Sequence, residues 1–184
     1  MRHSRYRFFI GGMLLFLNLL YGANFVAITP LFPLIIEDYE ISRRSASLLT
    51  SLVIMVQATL IIPGGVLVTR FPMKLMLALG WLLGCSMIFV PWADSFNTLL
   101  GIRAVFGLGF MFMMPAIAPI TMRWFDSREL PIITSLNMAF FALGIGVGTF
   151  YSPQLSELIG WEYALAAFGW ILLAGWLVWV LFAR

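Results

Sequence analysis

Hydrophobic positions along this chain fall into long blocks, with charge and turn residues gathered between them. Six blocks stand out, at about Phe8 to Ile36, Ser45 to Thr69, Pro72 to Trp92, Thr98 to Met122, Pro131 to Ser152 and Trp161 to Ala183. Each has the roughly 20 residues that cross about 30 Å of hydrocarbon at about 1.5 Å per residue. None shows the ten-residue alternation of a membrane barrel strand. The pattern therefore predicts an all-α, polytopic membrane helical bundle of six transmembrane helices. Every connection is short, so no soluble domain is interposed.

Composition agrees with that solvent. Hydrophobic residues make up 62% of the 184 residues and charged ones 10%, against about 45–50% and 25% in soluble domains. The net charge of +3 comes from 11 basic residues scattered among short loops, which build neither a basic groove nor a recognition helix, so no nucleic acid partner is expected. The first block follows Arg2, Arg5 and Arg7 as a secretion signal would, but it is too long for a signal core and has no small-residue cleavage pattern, so it reads as a retained helix. Basic residues in short loops stay on the cytoplasmic side. Placing both ends there collects Arg2, Arg5, Arg7, Arg70, Lys74, Arg123, Arg128 and Arg184 on one side and leaves only Arg43 and Arg44 on the other. The expected location is the inner (cytoplasmic) membrane, multi-pass, with both termini of this segment cytoplasmic and the lipid bilayer as surroundings.

Within the blocks, small residues mark where helix backbones approach. Gly80 with Gly84, and Gly144 with Gly148, have the four-residue spacing for close packing. Pro30, Pro33, Pro63, Pro115 and Pro119 predict helix ends or kinks; such breaks line the pathway in some transporters and simply bend helices elsewhere.

Polar groups in hydrocarbon are costly and so point to function. Arg103 is the one charged residue in the interior of a block, Lys74 and Glu162 lying at block ends. It reads as an anion contact, or as a tie between neighbouring backbones, or as a cation snorkelling outward. Tyr21 and Asn24 share a face of the first helix, Gln57 lies near the middle of the second, and Asn137, Phe141 and Gly144 lie on one side of the fifth. Tyr21, Asn24, Gln57, Arg103 and Asn137 are therefore candidates for a substrate site at the midplane, with interhelical hydrogen bonds of about 1 kcal/mol each as the alternative. Phe106 and Phe110, on the face of Arg103, are expected to be core. Trp residues near block ends are expected to be interface anchors.

Apart from Lys74 and Glu162 in the first turns of their blocks, the blocks contain no Asp, Glu, Lys or His, and the one histidine, His3, lies in the N-terminal tail. Paired acids, a Ser/His arrangement or a His cluster cannot be assembled in them. An enzyme, a metal site and a cofactor are accordingly not expected. Cys85 stands alone in an apolar block and is expected to pack.

Three stretches resemble the major facilitator superfamily. Gly65, Leu67, Arg70 and Lys74 match the loop motif G-x-L-a-D-r-x-G-r-k, while Thr69, Pro72 and Met73 depart from it. The family aspartate helps latch the outward-facing state, and Thr69 leaves that latch without its acid. Arg103, Gly107 and Gly109 are similar to the R-x-x-x-G-x-G motif of the fourth helix, and Trp124 to Glu129 resembles the loop after it. Gly160-Trp161 opening the sixth helix is also a family feature.

The resemblance implies the N-terminal half of a two-bundle fold. It also implies a secondary active permease that moves a small-molecule substrate by alternating access, closest in look to permeases for small inorganic or organic anions such as the cyanate and nitrate types. The fifth helix has Gly144, Gly146 and Gly148 but not the G-P pair of drug antiporters. The second half is then either a separate C-terminal six-helix half, this chain being a truncated piece of one about twice as long, or a second copy. Truncation is the expected case. The competing expectation is a scaffold or assembly partner that transports nothing.

Overall fold

The structure, a computed structural model, describes residues 6–182. Arg2, His3, Arg5, Ala183 and Arg184, used above for orientation and span ends, lie outside the described residues. Six helical stretches are long and apolar enough to cross a membrane: Tyr6–Asp38, Arg43–Arg70, Met73–Trp92, Phe96–Trp124, Leu130–Ile159 and Trp161–Phe182. Among the described residues there is no strand.

Two of the six spans are not single α-helices, and in the first a proline explains where the helix changes. The first comprises α1 (Tyr6–Val26), a 3-10 turn (Thr29–Leu31) and α2 (Phe32–Asp38). Helix α1 stops at Val26 because Pro30, four residues on, has no N–H for the Val26 carbonyl. The second span is α3 (Arg43–Arg70). The third begins as α4 (Met73–Gly84) and tightens into a 3-10 stretch at Cys85–Trp92 that contains Pro91. The fourth is α5 (Phe96–Trp124), the fifth α6 (Leu130–Ile159) and the sixth α7 (Trp161–Phe182). Side-chain caps start two of the helices: Ser42 accepts from the Ser45 N–H at 3.1 Å and Ser95 from the Thr98 N–H at 3.2 Å. The turn from α6 to α7 is a single residue, Gly160, at φ 86°, where glycine is the residue free of strain.

Prolines inside α3 and α5 do not interrupt them. Pro115 leaves the Met111 carbonyl without its helical donor, and Gly64 of α3 packs directly onto that carbonyl, so the kink residue of one helix makes the contact point of the next.

Glycine sets most of the close approaches. A Cβ at Gly144 would fall on the Leu19 carbonyl oxygen, one at Gly148 on that of Ala23, and one at Gly22 on that of Phe141, so α1 and α6 pack backbone to backbone. Gly80 and Gly109 do the same between α4 and α5, with a Cβ at Gly80 only 2.8 Å from the Gly109 oxygen. Gly107 meets Val53 and Val56 of α3. Association without a hydrophobic driving force relies on such contact. Helices α3 and α6 keep large apolar faces uncovered: only 11% of the membrane window of each is buried, against 39–50% in the other four spans.

Candidate functional site

Arg103 lies two turns into α5 and is completely buried. Its Nε donates to the Leu49 carbonyl of α3 at 2.9 Å, Nη2 to the Phe25 carbonyl at 2.8 Å and Nη1 to the Asn24 carbonyl at 3.3 Å, with the Met87 sulfur at 3.7 Å. The Phe25 and Asn24 carbonyls belong to the last turn of α1, where helix carbonyls lack an internal donor. The proline that ends α1 thus creates the acceptors that the guanidinium fills. The Phe106 ring lies 5.1 Å from the guanidinium carbon. Of the three readings the sequence left open, the geometry is that of the backbone tie, joining the first, second and fourth spans.

Tyr21 and Asn24 belong to the same knot. The Tyr21 hydroxyl donates to the Phe106 carbonyl at 2.7 Å, its ring stacks on Phe106 at 4.6 Å and meets the edge of Phe110 at 4.9 Å, and Gly84 and Gly109 leave the room it occupies. The Asn24 Nδ2 donates to the Leu20 carbonyl at 2.9 Å and to the Phe168 carbonyl of α7 at 3.0 Å. Phe106 and Phe110 are buried core, packed around the knot.

Asn137 sits elsewhere. Its Nδ2 donates to the Ile133 carbonyl at 3.0 Å, and its Oδ1 accepts from Asn18 Nδ2 of α1 at 2.6 Å. The two carboxamides border a cavity of about 210 Å³ between α1, α5 and α6, completed by Met114, Ile117, Ala118, Thr134, Met138 and Phe141. Gln57 is half-buried on α3 and makes no side-chain hydrogen bond among the described residues. The five polar residues chosen from sequence therefore do not surround one cavity: three form the knot, Asn137 lines the cavity and Gln57 stands apart. Sequence reasoning missed Asn18 and Thr134. Asn18 carries the same signal as Asn24, a carboxamide inside an apolar block, six residues earlier.

The loop motif takes up mechanical positions. Leu67 packs against the core, Arg70 ends α3 exposed, and nothing lies within 4 Å of where a Cβ of Gly65 would be. Lys74 Nζ donates to the Val180 carbonyl at 3.3 Å, placing a cation on the last turn of α7. Thr69, in place of the family aspartate, turns its hydroxyl back onto the Val66 carbonyl at 2.7 Å.

Each end of the bundle is fastened. Where α1 begins, Arg7 pairs with Glu129 at 3.1 Å, the same Glu129 oxygen accepts the Asp126 N–H at 3.1 Å, and the Tyr6 hydroxyl donates to the Phe182 carbonyl. At the opposite end Trp161 donates to Asp38, and the Tyr39 hydroxyl donates to the Ala93 carbonyl at 2.6 Å. Burial, with the charges of Glu162, Asp38 and Asp94 added, pushes the Tyr39 hydroxyl above the usual tyrosine pKa.

This architecture has known counterparts. The family described as Major Facilitator Superfamily matches residues 14–184. The chain belongs to this family. It is similar to the uncharacterized protein Cj0987c of Campylobacter jejuni, 29% identical over 161 residues, which are 87% of this chain and 50% of that one. It is 36% identical over 100 residues to the probable anion transporter 3 of Arabidopsis thaliana chloroplasts, covering 53% of this chain and 20% of the relative. It is 26% identical over 145 residues to the 4-hydroxybenzoate transporter PcaK of Pseudomonas aeruginosa, covering 78% and 32%. The chain thus spans half or less of the length of these relatives. Family and fold together make it a multi-pass membrane protein of a transporter superfamily.

Proposed function

We propose that this chain is one six-helix half of a secondary transporter that moves a small organic solute by alternating access. The observation that carries this reading is the uneven burial of the spans. Helices α3 and α6 leave apolar faces uncovered on a unit whose other four spans are well packed, and Cj0987c is twice the length matched. A second six-helix unit, a C-terminal half or a second copy, is the occupant that fits those faces, since alternating access needs one bundle to rock against another. The inner membrane is the proposed location, with both ends of the segment cytoplasmic, on the strength of the basic residues at that end.

The relatives named for anions keep an anionic substrate in view. In this half, however, Arg103 is spent on three carbonyls, and the cavity beside Asn137 has no charged residue in its wall. An organic solute with a substantial apolar part suits that cavity better than an inorganic anion.

Uptake into proteoliposomes tests the proposal, comparing the chain alone with the chain plus a second six-helix unit and a panel of small organic solutes. Uptake that needs both units supports it. Uptake by the chain alone makes it a self-pairing half, and absence of uptake in every combination favours the scaffold.

A further inference from the structure

The two uncovered spans carry matching stripes. On α3, Ser47, Ser51, Ile54, Ala58, Ile61 and Gly65 recur at alternating four- and three-residue steps, and on α6 Ser135, Ala139, Ala142, Gly146, Thr149 and Pro153 do the same. Such spacing keeps residues in one line along a helix. Both lines point away from the neighbours inside the unit, because α3 meets α5 through Val53, Val56 and Gly64, and α6 meets α1 through Gly144 and Gly148. Nothing lies within 4 Å of a Cβ at Gly146 or Gly65, and Ile54 is 50% and Ile61 42% exposed.

The two helices cross the membrane in opposite directions, and contacts inside the unit set their depth. Gly144 and Gly148 rest on Leu19 and Ala23, the Tyr21 hydroxyl reaches the Phe106 carbonyl, and Gly107 meets Val53 and Val56, so Gly146 and Ile54 lie at one level. Laying α3 of one copy antiparallel on α6 of another, with Ile54 opposite Gly146, puts Ile61 opposite Ala139, Ala58 opposite Ala142, Ser51 opposite Thr149 and Gly65 opposite Ser135. Each large residue meets glycine or alanine, and the other layers pair small residues, as close approach of helices in lipid requires. The hydroxyls of Ser51 and Thr149 donate within their own helices and bring no unpaired donor to the contact.

The same register brings Arg43 to Glu157. Arg43 stands in the first turn of α3, where the helix dipole disfavours a cation. Both side chains are exposed, and neither has an ion-pair partner among the described residues. The acid that complements one uncovered helix is thus carried by the other uncovered helix of the same chain.

Resting on the reading above that a second six-helix unit covers these faces, we infer that this unit is a second copy of the chain. A two-fold axis along the membrane normal relates the copies, with α3 of each on α6 of the other. Helices α3 and α6 flank the unit, with α5 and α1 between them joined through Tyr21 and Arg103, so one rotation covers both faces. A two-fold pairing requires a self-complementary surface, which the stripes and their charged ends supply.

Cross-linking in the membrane tests the register. Two differently tagged copies of the full chain, both with Cys85→Ala, are co-expressed, one with Ile54→Cys and one with Gly146→Cys. Oxidation by copper phenanthroline is expected to join the two tags. Two controls should link at least about tenfold less, given the short reach of a disulfide. One is Ile54→Cys with Ser135→Cys, which the register separates by eleven residues. The other is either cysteine alone, which the two-fold places on opposite flanks. Single-molecule energy transfer between the tags, on chains that keep Cys85, gives a second reading. Arg43→Glu turns two ion pairs into like-charge pairs and should lower the dimerisation constant about tenfold, and adding Glu157→Arg should restore it to within about twofold. Circular dichroism checks that the variants keep their helix content.

A chain that stays monomeric at every protein-to-lipid ratio, equal linking of the off-register pair, or a charge reversal that Glu157→Arg does not rescue each overturns the inference. A dimer of this register without uptake counts against the transport reading alone. A monomer that takes up solute only with a separate C-terminal six-helix half overturns this inference and leaves the transport reading standing.

Discussion

Replacing Arg103 separates a structural tie from a substrate contact. In Arg103→Met the side chain keeps an unbranched apolar stem but loses the guanidinium and its donors to Leu49, Asn24 and Phe25, at 2.9, 3.3 and 2.8 Å. Hydrogen bonds between transmembrane helices average about 0.6 kcal/mol with a maximum near 1.7, so three of them amount to about 2–5 kcal/mol. Two of the orphaned carbonyls, those of Asn24 and Phe25, lie in the last turn of α1, where helix carbonyls lack an internal donor, so the loss falls toward the upper half of that range. Arg103→Lys keeps the charge, but one ammonium replaces a planar fork that reaches acceptors on two spans, and it is expected to lose about 1–3 kcal/mol.

Reversible unfolding in mixed micelles, titrated with dodecyl sulfate and followed by circular dichroism, gives both numbers. Stability within about 0.5 kcal/mol of the wild type in Arg103→Met would refute the tie. An unchanged fold with lost solute binding would return Arg103 to the substrate site.

Other expectations follow from the same packing. Gly144→Val drives a side chain into the α1 backbone at Leu19, and overpacking of this kind costs about 1–3 kcal/mol or more, while Gly146→Ala, with nothing within 4 Å, leaves unfolding of the chain unchanged; equal effects would contradict the assignment of the two faces. Asn137→Leu removes the contact to Asn18 and strands its Nδ2, for a loss of about 1–2 kcal/mol in the same titration. Tyr39, whose pKa is raised in the folded chain, contributes stability that is present below the unfolded tyrosine value of about 10 and is lost as pH rises through the folded value. Tyr39→Phe should flatten that alkaline loss, and an identical pH profile in the variant would remove Tyr39 as its source.

Sequence and structure agree most where the physics is coarse. Block length and hydropathy place all six spans, because the hydrocarbon thickness fixes helix length whatever the packing. The span ends differ by several residues: α5 runs from Phe96 and α6 to Ile159, because capped helices continue past the apolar block into the interface. Pro30 and Pro33 predict a break in the first span, and the structure adds what the break is for, free carbonyls that Arg103 takes up.

The grouping of polar residues was not legible. Helical spacing puts residues of one helix on a common face, but rotation about each helix axis is set by which glycines meet which backbones. Gly144 and Gly148 against α1 turn Asn137 toward Asn18 and away from Arg103. Gly22 and Gly64 make contacts as close as those of the paired glycines, yet four-residue spacing does not reveal them, since their partners are a carbonyl of another span and not a second glycine four residues away.

Solute counterflow is the most direct measurement of the central claim, because it needs alternating access but neither a coupling ion nor an imposed gradient. Proteoliposomes containing this chain and a second six-helix unit would be loaded in turn with each unlabelled small organic solute of the uptake panel and diluted into trace label of the same solute. Transient accumulation of label that depends on both units is the predicted result. Equilibration no faster than in protein-free liposomes, for every small organic solute and small anion offered, would contradict a transporter half.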